Sequence, residues 1–537
     1  MSQAAAPDPG KLKLAATAAR LMYGTEEPDL SDWLEYGSRE VAGEGRILVD
    51  GELREASSGK TFENLNPTTG EVIGLVADGG AEDVELAIGA ARRAFDEGSW
   101  AADRELRARC LRQLEAAMTE AKEELRAAMV AEIGCTLTST YAFQVEAAIA
   151  QVSYCAGLVD GGFDFEPMMD DSTWHPGASR QIVKDPIGVV GSVSPWNLPI
   201  LTILTKIAPA LAAGCTTVHK PAQSTPYAGT LLARMIAEQT EFPAGVVNIV
   251  AAAQPEAGEV LSTDPRVDLI HFTGSTATGR RLMRNASDTV KKVCLELGGK
   301  SANLVLEDAD IDQVIPRAAG MICFNAGQSC ALPTRLIVPR SRYEEVLSIA
   351  QEVLEAVPYG DPFDPANAMG PVHSELQMGR VLGHIEAGRA AGARVVAGGG
   401  RAPQFEDGWF VEPTLLADVT PDMSVFQEEI FGPVLTVTTY EGEEEAVKLA
   451  NDSIYGLSGV VWSGDDDHAV RVAKRLRTGM ISINGMNPFG LDIPFGGYGQ
   501  SGIGREWGEL GFEEFLEPKL IARAAEAPKG RGDGRRA

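Results

Sequence analysis

Apolar residues recur at three- and four-residue spacing through residues 81–95 and again through 104–134, with Glu and Arg on the opposite side. That period predicts surface helices carrying one buried stripe. Ahead of them Arg46-Ile-Leu-Val-Asp-Gly-Glu-Leu alternates and turns at Asp50-Gly51, as a β-hairpin does. In the middle third, short apolar runs at 188–194, 215–219, 245–250 and 267–272 alternate with helical periods at 200–213, 227–238 and 255–261. Strands alternating with helices at this spacing predict right-handed crossovers and a parallel sheet covered on both faces, a doubly wound α/β unit. A second α/β series follows, with helices at 309–324, 343–356, 374–391 and 443–451 and strands at 336–338, 434–440, 459–462 and 481–483. Two such lobes place a binding site in the crevice between them.

The length of 537 residues agrees with more than one domain, and 44% hydrophobic with 23% charged residues is an ordinary globular composition. Lys and Arg number 47 against 76 Asp and Glu, a formal charge of −29. A field of that sign repels phosphate backbones and anionic lipid, so no nucleic-acid and no membrane partner is expected. The most apolar stretch, 199–213, is interrupted by Lys206 and Pro209 and is too short to span a bilayer. The first thirty residues lack a basic segment followed by an apolar one, and the seven cysteines are sparse and odd in number. Both features predict a reducing, cytoplasmic setting. No CxxC pair, HExxH or Cys/His cluster occurs, so no metal is expected. Residues 1–44 are polar, with short helical stretches at 11–21 and 30–36, and read as an extension. Residues 526–537 are small, Gly-rich and basic and read as a frayed tail, whose Arg531-Gly532-Asp533 is a chance match.

Three segments carry candidate chemistry. Phe272-Thr-Gly-Ser-Thr-Ala-Thr-Gly279 follows a strand and opens a helix, where Gly274 permits close backbone approach and Ser275 can cap, leaving N–H groups for an anion. It lacks the full GxGxxG spacing, and such turns also occur without ligand. Gly298-Gly-Lys-Ser301 resembles the end of a P-loop, but Cys294 stands where that motif needs glycine. Phe324-Asn-Ala-Gly-Gln-Ser-Cys330 puts a thiol after small, flexible residues, either a nucleophile or an inert buried hydrophobe. Glu296 ends an apolar strand before two glycines, a position that is functional or simply wet. Asn197, in Ser194-Pro-Trp-Asn-Leu-Pro199, offers an uncharged amide donor for an oxyanion or a cap for the next helix.

The ordered set Pro195-Trp-Asn, Lys220-Pro-Ala-Gln, Phe272-Thr-Gly-Ser, Leu295-Glu-Leu-Gly-Gly-Lys300, Asn325-Ala-Gly-Gln-Ser-Cys330, Glu428-Glu-Ile-Phe-Gly-Pro433 and Pro494-Phe-Gly-Gly-Tyr498 closely resembles the NAD(P)-dependent aldehyde dehydrogenase superfamily over residues 45–520. The resemblance implies two Rossmann-like doubly wound α/β lobes plus a small oligomerisation β-sheet. It divides the chain into a cofactor-binding domain (45–170 and 187–297), a catalytic domain (298–494) and oligomerisation segments (171–186 and 495–525) that would build a homodimer or homotetramer. The implied reaction is oxidation of an aldehyde to its acid with NAD(P)+. Cys330 would be nucleophile, Glu296 general base and Asn197 oxyanion donor. Ser194, Pro195, Trp196, Gly279 and Leu297 would flank the dinucleotide, with Lys220 and Gln223 at the adenosine ribose. Gly274 and Ser275 would hold the pyrophosphate, and Glu429 and Phe431 the nicotinamide ribose and ring.

The family commonly has Glu where this chain has Gln223, so the repulsion of a ribose 2′-phosphate is missing and NADP should be tolerated beside NAD. A Lys frequent after Gly-Gly-Tyr is replaced by Gly499, followed by Gln500, which removes a surface contact. By the same resemblance Leu198, Thr202, Thr205, Ser329, Ala331, Phe489 and Phe495 line the substrate entrance. They offer no cation for a carboxylate, which predicts an uncharged, medium-sized aliphatic or aromatic aldehyde. Two alternatives stand beside this reading: transfer of the thioester to coenzyme A, for which Glu296 would be unnecessary, and a non-catalytic cofactor-binding protein on the same fold.

Overall fold

The structure, a computed structural model, describes Val41 and residues 43–169 and 179–523. The predicted helices at 11–21 and 30–36, the tail from 526 and positions 171–178 lie outside the described residues.

The hairpin forms where the alternation places it: Ile47–Val49 pairs antiparallel with Glu52–Arg54. Asp50 (φ 54°) and Gly51 (φ 80°) make the left-handed turn that matches strand twist. The run predicted over 104–134 is two helices, Arg104–Glu120 and Lys122–Ile133, broken at Ala121 and closed by Gly134 in the left-handed conformation (φ 75°).

The first sheet has eight strands in the order Gly502–Ile503, Lys292–Glu296, Leu269–Thr273, Val189–Val193, Thr216–Lys220, Val247–Ile249, Ile47–Val49, Glu52–Arg54. The five from Lys292–Glu296 to Val247–Ile249 are parallel. Chain order reverses direction between Val189–Val193 and Leu269–Thr273, and open α/β sheets bind ligands at such a switch point. The second sheet has seven strands, parallel except for Arg394–Ala397 against Thr414–Ala417, a bulged edge pair that the apolar pattern did not reveal. Each sheet has its own hydrophobic core.

A third sheet joins Met168–Met169, Ser179–Pro186 and Leu516–Arg523. Gly502–Ile503, inside the span 495–525 assigned above to the small sheet, instead extends the eight-stranded one by pairing with Leu295 and Glu296. The helix expected over 309–324 stops at Gly320, and Phe324 is already extended (ψ 123°). Leu137–Gly162 is long and apolar enough by composition to cross a bilayer. Its Val145, Ala148, Val152 and Ala156 are nevertheless fully buried in the first core, against the helices Arg104–Glu120 and Pro199–Ala213, so it is a core element.

Candidate active site

The C-terminal ends of four adjacent parallel strands present the residues singled out above. Val193 pairs with Lys220 on one side and Phe272 on the other, and Thr273 pairs with Glu296. The segments Ser194–Asn197 and Gly274–Ser275 therefore leave the sheet side by side at the switch point, with Lys220 and Glu296 flanking them.

The Cys330 loop is held in a conformation that its own residues disfavour. Asn325, Ala326 and Gly327 all have positive φ, at 48°, 52° and 75°, a cost of about 1–2 kcal/mol for a residue with a Cβ. Side-chain hydrogen bonds impose it. The Asn325 amide donates to the Asn197 carbonyl (3.0 Å) and the Gln328 carbonyl (3.2 Å), and the Gln328 amide donates to the Asn325 carbonyl (2.9 Å). The Gln328 side-chain oxygen accepts from the His373 N–H at 2.8 Å. Gln144 Nε2 donates to the Asn197 carbonyl (3.0 Å), and Asn197 Nδ2 donates to the Gln328 carbonyl (3.0 Å). Gly327 cannot be replaced, since a Cβ there would lie 2.0 Å from the Gly432 carbonyl oxygen. Cys330 stays partly open while the other six cysteines are buried. Burial, then the charges of Glu429 and Glu296, push its thiol well up, so it rests as the neutral acid.

Glu296 is buried, and neither carboxylate oxygen has a hydrogen-bond partner. Burial and then the nearby negative Glu506 raise it well above the usual carboxylate range. Glu506 has the opposite environment. Its Oε1 lies 2.8 Å from Lys206 Nζ and 2.9 Å from His271 Nε2. Burial alone would raise it, but Lys206 and His271 together outweigh burial and hold it down at about 2. Lys206 also donates to Thr273 Oγ1 at 2.7 Å. Neighbouring carboxylates pushed apart in this way are the arrangement from which acid and base roles arise. Lys206, His271 and Glu506 escaped the sequence reading because no local pattern joins residues 300 positions apart.

Pro195, Trp196, Asn197, Gly274, Ser275 and Leu297 line a cleft of about 240 Å³ that also contains Cys330, Glu429 and Phe431. Glu429 Oε1 accepts from the Gly299 N–H at 3.0 Å, and Gly298 has no room for a Cβ, which would meet Glu429 Oε2 at 2.4 Å. Burial raises Glu429 to about 7. Trp196 stacks on His373 (4.4 Å) and meets the Phe431 ring edge-on (5.3 Å). Ser275 caps the helix Thr276–Ala286 by accepting from the Thr278 N–H, so the other N–H groups of the first turn face the cleft end. Gly279 lets that helix approach Leu297, which a Cβ would meet at 2.6 Å. Gln377, Arg380 and His384, one face of the helix Glu375–Ala390, also line this cleft and were not anticipated.

Four predicted residues stand apart from that cleft. Ser194 hydrogen-bonds His219 Nε2 (3.1 Å), and Gly279 acts only in packing. Lys220 is buried at its strand end, where burial lowers it to about 8. Gln223 is exposed beside a separate cavity that includes His373 and Trp409. Gln500, where a contact was expected to be missing, accepts a hydrogen bond from Arg280 on the helix Thr276–Ala286.

A second cavity, about 420 Å³, opens on the other side of Cys330 and Asn197. Leu198, Thr202 and Thr205 contribute from the segment opening the helix Pro199–Ala213, Ser329 and Ala331 flank the cysteine, and Phe489 and Phe495 close the far side. Phe143 and Phe324 extend the aromatic wall, with Phe143 edge-on to both Phe324 (5.7 Å) and Phe489 (5.5 Å). Trp507 packs on Phe495 at 4.9 Å with φ 60°, a conformation rare for a bulky residue. Arg317 also lines this cavity, so the expectation of an entrance without a cation is corrected.

The family model described as the aldehyde dehydrogenase family matches residues 53–521. A 3-succinoylsemialdehyde-pyridine dehydrogenase of a Pseudomonas species is 41% identical over 478 residues, 88% of this chain and 98% of the relative. The betaine aldehyde dehydrogenase of Bacillus subtilis is 40% identical over 483 residues, 89% of this chain and 97% of the relative. Among solved structures, betaine aldehyde dehydrogenase of Staphylococcus aureus in complex with NAD+ superposes with a TM-score of 0.88 at 37% identity, covering 94% of this chain and 100% of its own. Aldehyde dehydrogenase C of Pseudomonas syringae, complexed with NAD+ and octanal, gives 0.85 at 38% identity, covering 90% and 98%. Sequence and fold thus converge: the chain belongs to the aldehyde dehydrogenase family, an oxidoreductase acting on aldehydes.

Proposed function

We propose that Cys330, Asn197 and Glu296 carry out the oxidation in this chain. As a member of the family it converts an aldehyde to its carboxylic acid and reduces NAD+. One observation carries the assignment of residues: Cys330 and Asn197 line both the 420 Å³ cavity and the 240 Å³ cleft, so a single sulfur borders the two compartments.

The Cys330 thiol releases its proton to solvent water as its sulfur adds to the aldehyde carbon from the cavity side. The Asn197 amide and the Cys330 N–H receive the oxyanion. NAD+, when bound, supplies the two-electron acceptor. Lys220 and Gln223 would hold its adenosine ribose, Gly274 and Ser275 its pyrophosphate, and Glu429 and Phe431 its nicotinamide half. Supporting this fit, the cleft has a helix N-terminus at one end, and the Glu429 carboxylate is seated on the Gly299 N–H. Glu296 takes a proton from the water that hydrolyses the remaining thioester, and its presence favours hydrolysis over transfer to coenzyme A.

Residues 45–170 and 187–297 then serve as the cofactor-binding domain and 298–494 as the catalytic domain. The small sheet serves as the oligomerisation surface of a homodimer or homotetramer. The exposed edge strand Leu516–Arg523, with Leu520 64% exposed, supports that use. The neutral Gln223 favours tolerance of NADP beside NAD, and seven free cysteines support a cytoplasmic setting. A panel of aldehydes with both cofactors, read by absorbance of the reduced cofactor, tests the function. Cys330→Ser should abolish turnover of every aldehyde while NAD+ binding persists, and undiminished turnover would refute the role of Cys330.

A further inference from the structure

We propose that Arg317 is a specificity-determining residue that recognises an anionic group at the far end of the aldehyde, a carboxylate in the simplest case. The inference rests on the reading of the 420 Å³ cavity as the aldehyde site. Arg317, Met321 and Phe324 are spaced i, i+4 and i+7 along the helix Ile311–Gly320 and the turn that continues it, and all three line that cavity. The spacing puts them on one face. Arg317 is exposed, Met321 and Phe324 are half-buried, and the same chain segment then reaches Cys330. One wall thus runs from solvent to the sulfur with a cation at its outer end and apolar side chains between. By helical rise the guanidinium's residue sits roughly 10 Å beyond Phe324.

Among the described residues the Arg317 side chain makes no hydrogen bond or ion pair, although the chain carries an excess of 29 negative charges. The carboxylate that lines the same cavity, Glu506, is already engaged by Lys206 at 2.8 Å. A planar guanidinium matches a carboxylate with two parallel hydrogen bonds. On so acidic a protein, a local cation also offsets the field that would repel an anionic substrate. A distal quaternary ammonium would meet like charge instead.

The test compares ω-oxocarboxylates of four to ten carbons with the alkanals of matching length, with NAD+, in wild type, Arg317→Gln and Arg317→Lys. The wild type should favour the carboxylate over its matched alkanal in kcat/KM by about five- to tenfold at the best length. Arg317→Gln should remove that ratio through KM, Arg317→Lys should restore part of it, and added salt should shrink it in the wild type. A wild type that favours the alkanal at every length, or a ratio unchanged in Arg317→Gln, overturns the proposal. Oxidation of neither series would instead refute the aldehyde site on which it rests.

Discussion

The side-chain amide of Asn197 donates at 3.0 Å to the backbone carbonyl of Gln328, two residues before Cys330. A primary amide has two N–H donors, so one fixes the cysteine loop while the other is left for an oxyanion. Asn197→Ala should therefore lower kcat by about 10²–10³, with the NAD+ dissociation constant changed less than about twofold. Steady-state rates together with a fluorescence titration of NAD+ check this, and a loss confined to cofactor affinity would contradict it.

Glu296, buried and without a hydrogen-bond partner, has its pKa raised by burial and by Glu506. The base form is scarce at low pH and grows as pH rises through the raised value, so thioester hydrolysis should climb with pH above the ordinary carboxylate range. Glu296→Gln should flatten that profile and slow turnover by about 10²–10⁴. Rapid mixing should still show a burst of reduced cofactor near one equivalent per site. A variant without the burst would place the defect before hydrolysis.

Lys206 and Glu506 form an ion pair in which Lys206 is completely buried and Glu506 is 4% exposed. Removing one partner strands the other charge, so Lys206→Met should cost about 3–5 kcal/mol, read from urea unfolding at neutral pH. Glu506 is held at about 2 against an ordinary 4.5. The stability it contributes is complete above 4.5 and is lost as pH falls from there toward 2. The acid limb of the wild-type unfolding curve should accordingly shrink in the variant, and superimposable acid limbs would rule the pair out as its source.

Gln223 is exposed and uncharged at the position where the family resemblance implies Glu. Gln223→Glu should lower the kcat/KM ratio of NADP to NAD by about tenfold, through repulsion of the 2′-phosphate. Equal ratios in the two proteins would show that this side chain does not discriminate.

Local chemistry made much of this molecule legible. Asp50-Gly51 carries its hairpin in two residues, and strand and helix periods mark most of the crossovers. The residues from Leu198 to Phe495 that were named for a substrate entrance line one cavity. What stayed hidden is tertiary. Helical periodicity continues past Gly320, but Asn325 and Ala326 are forced into left-handed geometry by bonds to Asn197 and Gln328 that no window of sequence contains. Arg317 was overlooked for a similar reason, because its helical face becomes meaningful only once Met321 and Phe324 are seen beside the same cavity.

The pairing of Gly502–Ile503 with Leu295 and Glu296 has a consequence for biosynthesis. The stretch that flanks Glu296, and Glu506 just after it, leave the ribosome long after Glu296 and Lys206 themselves. A nascent chain ending before residue 500 would hold Cys330 and its loop yet lack the counter-charge for Lys206. Completing this cluster must await synthesis through Glu506, and contacts so distant along the chain form slowly.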